Sequence, residues 1–243
     1  MNNQNSNAKK ILMVVANPTV SKMTGWPIGF WWSELTHPYW EFVQRGHNVT
    51  IVSPKGGNLE ADGYSDPEHE SGYSAHDFLS LGFKKSKEHV TLLNGTKSIS
   101  EVSVKDYDAI FVIGGQSPMY TMANDERLHK LFADFYEAKK IAAAVCHGTV
   151  ILLKTKTSDG KLLVEEKKWT GFSNAEEDIA DKAVGQRIQP FRIEDEAKKI
   201  QNTTFVVASP FSSYAVADGN LITGQQQYSG AETARFVLKS LEK

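Results

Sequence analysis

One cysteine stands in 243 residues, and a histidine and a glycine follow it at once, as Cys146-His147-Gly148. A thiolate is an intrinsically strong nucleophile, and an adjacent imidazole can take the thiol proton. The plain alternative is a structural cysteine, because a buried free thiol behaves as a small hydrophobe. The flanks favour chemistry. Ile141 to Val145 is apolar, small and β-branched, at the length of a buried strand, and Thr149 to Leu153 is apolar at helical length. Strand, reactive residue, small residue and helix make a nucleophile elbow, which exposes its side chain at the carboxyl edge of a sheet. The helix N-terminus is expected to favour thiolate over thiol.

Other chemical candidates gather round this one. Tyr107 to Ile113 reads as a buried strand running into Gly114-Gly115. Glycines there let backbone approach a ligand closely, and the Gly115 N–H with the His147 N–H could form an oxyanion hole, beside Gln116 and Gly148. An ordinary strand-ending turn is the competing explanation. The run Asn174-Ala175-Glu176-Glu177-Asp178 also has a structural explanation, since acids favour helix N-termini. His69 and His76 lie near Glu68 and Glu70, but no recognised zinc spacing is present. No metal and no cofactor are expected.

The elements that must position these residues follow from periodicity. Ile11 to Ala16 reads as a central parallel strand, and Val49 to Ser53 as the next. Between them Trp32, Leu35, Tyr39, Phe42 and Val43 mark one stripe of a helix over Phe30 to Arg45, with Glu34 in its early turns and Pro38 inside it. A polar segment rich in Gly, Asp, Glu and Ser is expected as an inserted loop over about 54–78. Asp77 to Asn94 reads as helix broken at Gly82. Asn124 is expected to cap a helix to about Lys139, and Asn174 another. Phe205 to Ala208 and Leu221 to Gly224 read as late strands turning at Asp218-Gly219, before a closing helix over Ser229 to Leu241. The class is α/β, a flavodoxin-like doubly wound, mostly parallel sheet with helices on both faces. Such sheets carry their sites outside the strand carboxyl ends. No composition break divides the chain, so residues 9–243 are expected to form one domain behind a disordered 1–8.

Bulk properties narrow the partners. The formal net charge is −2 and charged residues make up 23%, which leaves no basic footprint for nucleic acid or an anionic membrane. One cysteine excludes an internal disulfide and fits a reducing compartment. The polar start, followed by an apolar run of only Ile11 to Ala16, is too short for a signal core or a membrane span. A soluble, cytoplasmic protein is expected.

Taken together, several motifs point to a family. They are Ala-Ala-Val-Cys-His-Gly at 143–148, Glu-Leu-Thr-His-Pro at 34–38, Ser-Pro-Lys-Gly-Gly at 53–57, Thr-Gly-Phe-Ser-Asn-Ala-Glu-Glu at 170–177, Pro-Phe-Arg-Ile-Glu-Asp-Glu at 190–196 and Asp-Gly-Asn-Leu-Ile-Thr-Gly at 218–224. In this order they resemble the ThiJ/PfpI superfamily, with its class I glutamine amidotransferase-like fold, from about Lys10 onward. The nearest branch resembles the heat-inducible chaperones with glutathione-independent glyoxalase activity. The resemblance implies Cys146 as nucleophile, His147 as its adjacent histidine, Glu34 as the carboxyl touching the sulfur, and Glu177, or failing it Glu176, as the histidine's acid partner. It implies a small aldehyde as substrate, methylglyoxal going to lactate, and a homodimer, for which Trp31-Trp32 offers aromatic surface. The chain departs from the branch at one place. Where that branch carries Gly-Gly-His-Gly, this chain has Gly114-Gly115-Gln116-Ser117, and an amide cannot transfer a proton at neutral pH. Two other classes stay open: a thiol hydrolase or isonitrile-hydratase-like enzyme, and a noncatalytic chaperone or redox sensor using Cys146.

Overall fold

The computed structural model describes residues 8–242. The expected disorder of 1–8 therefore lies, except for Ala8, outside the described residues. In chain order the elements open with β1 (Lys10–Val14), β2 (Thr19–Val20), β3 (Pro27–Ile28), α1 (Trp32–Val43) and β4 (Asn48–Ser53). Next come α2 (Phe78–Lys85), α3 (Lys87–Val90), β5 (Lys97–Ser98), β6 (Ala109–Val112), α4 (Pro118–Thr121), α5 (Glu126–Glu137) and β7 (Ile141–Val145). The last part holds β8 (Lys168–Trp169), α6 (Asn174–Val184), α7 (Ile193–Ala197), β9 (Thr204–Phe205), β10 (Ala215–Asp218), β11 (Leu221–Gly224) and α8 (Gly230–Leu241).

The central sheet runs β10-β11-β7-β6-β1-β4-β5, parallel except for β10. Without its edge strands β10 and β5, the parallel order is that of flavodoxin-like sheets, with its switch point between β1 and β6. Strand alternation divides the core. Leu12, Val14, Ile110, Val112, Ala142 and Ala144 face one side, where Leu128, Phe132 and Phe135 of α5 cover them. Ile11, Met13, Phe111, Ala143 and Val145 face the other, under Leu35 and Phe42 of α1 and Val237 and Leu238 of α8. Burial on both faces explains why these strands are continuously apolar.

Several local expectations are corrected. Gly82 lies inside α2, and the break falls at Ser86, whose side chain caps α3. Asp125, not Asn124, caps α5, its carboxylate accepting from the N–H groups of Arg127 and Leu128. Ser173, not Asn174, caps α6. The antiparallel partner of Leu221–Gly224 is Ala215–Asp218, while Thr204–Phe205 pairs in parallel with Lys168–Trp169 in a separate small sheet. The turn at Asp218-Gly219 is where expected, with Gly219 at φ 63. The aromatic pair is not spare surface: Trp32 is buried against Phe30 and Phe83, and Trp31 packs edge-on against Tyr73.

The polar segment after β4 is tied back to the stretch between β3 and α1. Phe30 N–H donates to Glu60 O at 3.1 Å, and Asp62 N–H donates to Phe30 O at 2.8 Å. A Cβ on Gly29 would lie 1.7 Å from Glu60 O, so this crossing requires glycine there. Asp62 is thereby carried into the protein interior.

Candidate active site

β7 delivers Cys146 at its carboxyl end, and the chain turns at once into a 3-10 run, Cys146–Leu153. Cys146 itself takes φ 56, left-handed backbone that a non-glycine residue adopts at a cost of about 1–3 kcal/mol. Gly148 makes the turn feasible: a Cβ there would sit 2.9 Å from the carbonyls of Val112 and Ile113. Gly148 is thus a packing residue against β6 and is not part of the pocket lining. Gly114 stands between two reactive groups. A Cβ on it would lie 2.3 Å from Glu34 Oε2 and 2.8 Å from Cys146 Cβ, so carboxyl and cysteine share the space that a side chain at 114 would take. Gly115, at φ 108, has its own Cβ position blocked by the backbone of Gly29, Phe30 and Trp31.

The sulfur has two unlike neighbours. On one side His147 Nδ1 is 3.6 Å from Sγ, and His147 Nε2 is 2.9 Å from Glu177 Oε1. With Glu177 accepting from Nε2–H, the Nδ1 lone pair is left facing the thiol. Phe172 stacks on the imidazole at 4.3 Å and holds its plane. On the other side is Glu34, wholly buried, with no hydrogen bond of ordinary geometry at either carboxyl oxygen. Burial pushes Glu34 well above the usual carboxylate range; the Cys146 thiol and the Gly114 N–H pull the other way less strongly.

The thiol departs from expectation. Burial first, and the Glu34 carboxyl second, push Cys146 well above an ordinary thiol. The N–H groups of His147 and Gly115 do face the sulfur and act in the expected lowering direction, but they lose. Magnitudes explain the outcome. A helix terminus is worth about 0.3–2 kcal/mol, while enclosing an ionisable group fully costs up to about 4–7 kcal/mol. The resting site therefore favours a neutral thiol beside a neutral carboxyl.

Glu176 and Glu177 are resolved by α6. Glu176 closes a capping box, with Ser173 N–H and Oγ–H donating to Oε2 at 2.9 and 2.7 Å. Its Oε1 accepts from Phe211 N–H and Gln225 Nε2, both at 2.9 Å. Every acceptor on Glu176 is committed to structure, and Glu177, on the neighbouring helical face, is the histidine's partner.

The sequence reading missed Asp62. It is wholly buried and accepts from Gly29 N–H at 2.9 Å and from Gln116 N–H at 2.7 Å. It clamps the Gly115-Gln116 turn onto the segment before α1 and so fixes the Gly115 N–H at the sulfur. Burial raises it to about 7. An aspartate before a glycine in a polar loop reads as an ordinary turn residue, so nothing nearby marked it.

Cys146, His147, Glu177, Gly115 and Gln116 line one pocket of about 200 Å³; Glu34 lies outside it, reached past the sulfur. Trp31, Tyr73, Phe172 and Phe211 supply aromatic walls that sequence periodicity did not reveal, although Phe172 falls inside the Thr170–Glu177 motif. His69 is far from this chemistry in role: its Nδ1 bonds Ser71 Oγ at 2.8 Å and its ring lies against Tyr64. Among the described residues no group of three or more His, Cys, Asp or Glu side chains could hold a metal ion, and no helix is long and apolar enough to cross a membrane.

Known proteins resemble this chain in sequence and in fold. The chain is 29% identical over 236 residues to a probable glutathione-independent glyoxalase, hsp3103, of Schizosaccharomyces pombe, covering 88% of this chain and 90% of that one. The crystal structure of Rapid Encystment Protein 24 KDa of Francisella tularensis superposes with a TM-score of 0.85 at 29% identity, over 96% of this chain and 99% of that chain. Glyoxalase III of Candida albicans does so with a TM-score of 0.78 at 26% identity, over 96% and 98%. Residues 28–242 match the DJ-1/PfpI family, and the chain belongs to it.

Proposed function

We propose that the protein is a cysteine-dependent, glutathione-independent glyoxalase that converts methylglyoxal to lactate in the cytoplasm. The observation that carries this reading is the pair of acid–base systems at one sulfur. Acyl hydrolysis needs a thiol, one base and an oxyanion hole, which His147, Glu177 and the two N–H groups would supply. Glu34 is then surplus. A buried, uncommitted carboxyl beside the sulfur is what moving a proton between adjacent carbons requires.

The steps balance without an outside oxidant. Cys146 adds to the aldehyde carbon as His147 takes the thiol proton, and Glu34 protonates the new alkoxide at the Gly115 and His147 N–H groups. Glu34, now a carboxylate, removes the hydrogen of that carbon while His147 passes the thiol proton to the neighbouring carbonyl oxygen, giving an enediol and a neutral imidazole; Glu34 then delivers the hydrogen to the neighbouring carbon and takes up the hydroxyl proton of the first. The first carbon is oxidised by the electrons that reduce the second, which leaves a thioester; water, with His147 as base, releases lactate and restores the thiol. Gln116, standing where the branch has histidine, plays no proton-transfer part in this sequence.

Lactate is measured after incubation of the protein with methylglyoxal, without glutathione, for wild type and Cys146→Ser. The reading expects lactate from wild type alone. No lactate, or equal lactate from both, rejects it. A homodimer belongs to the same proposal, supported by adjacent apolar surface at the start of α2, where Phe78 and Leu79 are 77% and 39% exposed. A monomer mass in sedimentation at all concentrations would reject that part.

A further inference from the structure

The pocket is larger and more apolar than methylglyoxal needs. At about 200 Å³ it exceeds the roughly 150 Å³ apolar cavity that accepts a benzene ring. Cys146, His147 and Gly115 occupy one part of its wall. The remainder is built largely from Trp31, Tyr73, Phe172, Phe211, Val184 and Ile188. Their rings are fixed in mutually edge-on pairs: Trp31 with Tyr73 at 89° and Phe172 with Phe211 at 71°. Gln227 Nε2 donates to the Tyr73 hydroxyl at 3.0 Å, which anchors that ring at its polar tip. A methyl group would cover little of this surface and leave water against the rest. A ring would displace that water and meet aromatic edges and faces at their preferred geometries.

We infer that the substrate class of this site is 2-oxoaldehydes carrying an aromatic or comparably bulky apolar group on the ketone carbon, with phenylglyoxal the simplest. The inference rests on the glyoxalase reading and deepens it. The thiol selects the aldehyde, and the aromatic walls select what is attached beyond the ketone. The chemistry is that already written. A C–S bond forms at the aldehyde carbon, its hydrogen moves to the neighbouring carbon, and water cleaves the C–S bond. Phenylglyoxal gives mandelate, with the oxidation of one carbon matched by reduction of the next.

Initial rates of 2-hydroxy acid formation test this with methylglyoxal, cyclohexylglyoxal and phenylglyoxal, each corrected by Cys146→Ser. Cyclohexylglyoxal has the bulk of phenylglyoxal without its conjugation, so it separates size from intrinsic reactivity. The expected kcat/KM for both bulky substrates exceeds that for methylglyoxal by about tenfold or more, mostly through KM, since a hydrophobic pocket discriminates by about 10–200-fold per group. Ala180, half-buried in the pocket wall one turn after Glu177, gives the second arm. Ala180→Phe fills the space, and the ratio of bulky to methyl kcat/KM should fall by about tenfold. Methylglyoxal converted as well as the bulky substrates, or a ratio unmoved by soluble Ala180→Phe, overturns the inference and leaves the glyoxalase reading standing. Conversion of none of the three overturns both. If Ala180→Phe does not fold, the wild-type comparison decides alone.

Discussion

Glu34 and Glu176 are both wholly buried glutamates, and their surroundings are opposite. Glu176 receives four donors: the N–H and hydroxyl of Ser173, Phe211 N–H and the Gln225 amide. Glu34 receives none of ordinary geometry, and faces a thiol. An unpartnered buried polar group costs about 1–3 kcal/mol, more when it can carry charge. A fold that satisfies one glutamate completely and leaves another bare is organised differently at the two places. At the start of α6 the carboxylate builds structure. At the start of α1 the fold leaves a bare carboxyl beside the sulfur, at a cost in stability, and the proposed mechanism uses it as the proton carrier.

The largest effect should come from Glu34. Glu34→Gln keeps the shape and removes the exchangeable proton, so kcat/KM for aldehyde conversion should fall by about 10³-fold, within the usual range for a positioned acid–base group. The folded protein should still be alkylated at Cys146. A fall of less than tenfold would mean that the proton moves by another group and that the bare carboxyl has no catalytic use.

Glu176→Ala should reverse the pattern. It strips acceptors from Ser173, Phe211 and Gln225 and leaves buried donors unpaired, so stability should drop by about 3 kcal/mol, and Tm by roughly 6–12 °C. Activity per folded molecule should change only a few-fold, through slight movement of Glu177. A variant that melts like wild type but is inactive would show that the two glutamates are not divided as the structure divides them.

Asp62 is intermediate: buried like Glu34, yet bonded at both oxygens. Asp62→Asn must turn an amide NH₂ toward either Gly29 N–H or Gln116 N–H, which loosens the Gly115 turn, and kcat/KM should fall by about tenfold. Stability should carry a pH signature. The folded value of about 7 lies above the ordinary 3.8, so the native state holds this proton more tightly than the unfolded chain. That contribution is complete below pH 3.8 and is lost as pH rises through 7, so the stability gap between wild type and Asp62→Asn should narrow from pH 4 to pH 8. A gap that widens in denaturant titrations across that range contradicts the burial argument.

What was legible in the chain follows the same division. β1, β6 and β7 are buried on both faces, so their apolar runs announced them, and the elbow at Cys146 stood out because strand, turn and apolar helical run met at the lone thiol. Glu34 was not visible from periodicity, since it lies beside an apolar stripe; only the motif at 34–38 pointed to it. The choice between Glu176 and Glu177 was readable in principle. Ser173 and Glu176 have capping-box spacing, which commits Glu176, but taking Asn174 as the cap hid the box. Asp62 left no local trace because its partners, Gly29 and Gln116, are distant in sequence. β10 was missed for the reason short edge strands usually are: Ala215 and Val216 are buried, Ala217 and Asp218 are not, and four residues carry little pattern.

The smallest effect concerns the thiol itself. The elbow suggested an activated thiolate, whereas burial and then Glu34 hold Cys146 above an ordinary thiol. The rate of iodoacetamide alkylation against pH should therefore rise later in wild type than for a free cysteine near ~8.5. Glu34→Gln removes the neighbour that can become negative but leaves the enclosure intact. The profile should move down yet stay above that of a free thiol, because enclosure is the larger cause. Peroxide should add oxygen slowly to wild-type Cys146 and faster to the variant, along the sulfenic and sulfinic steps, since no second cysteine is present to form a disulfide. A wild-type profile at or below the free-thiol value would mean that the Gly115 and His147 N–H groups outweigh burial at this sulfur. Glu34 would then act on a thiolate already present, and His147 would not be needed to make one.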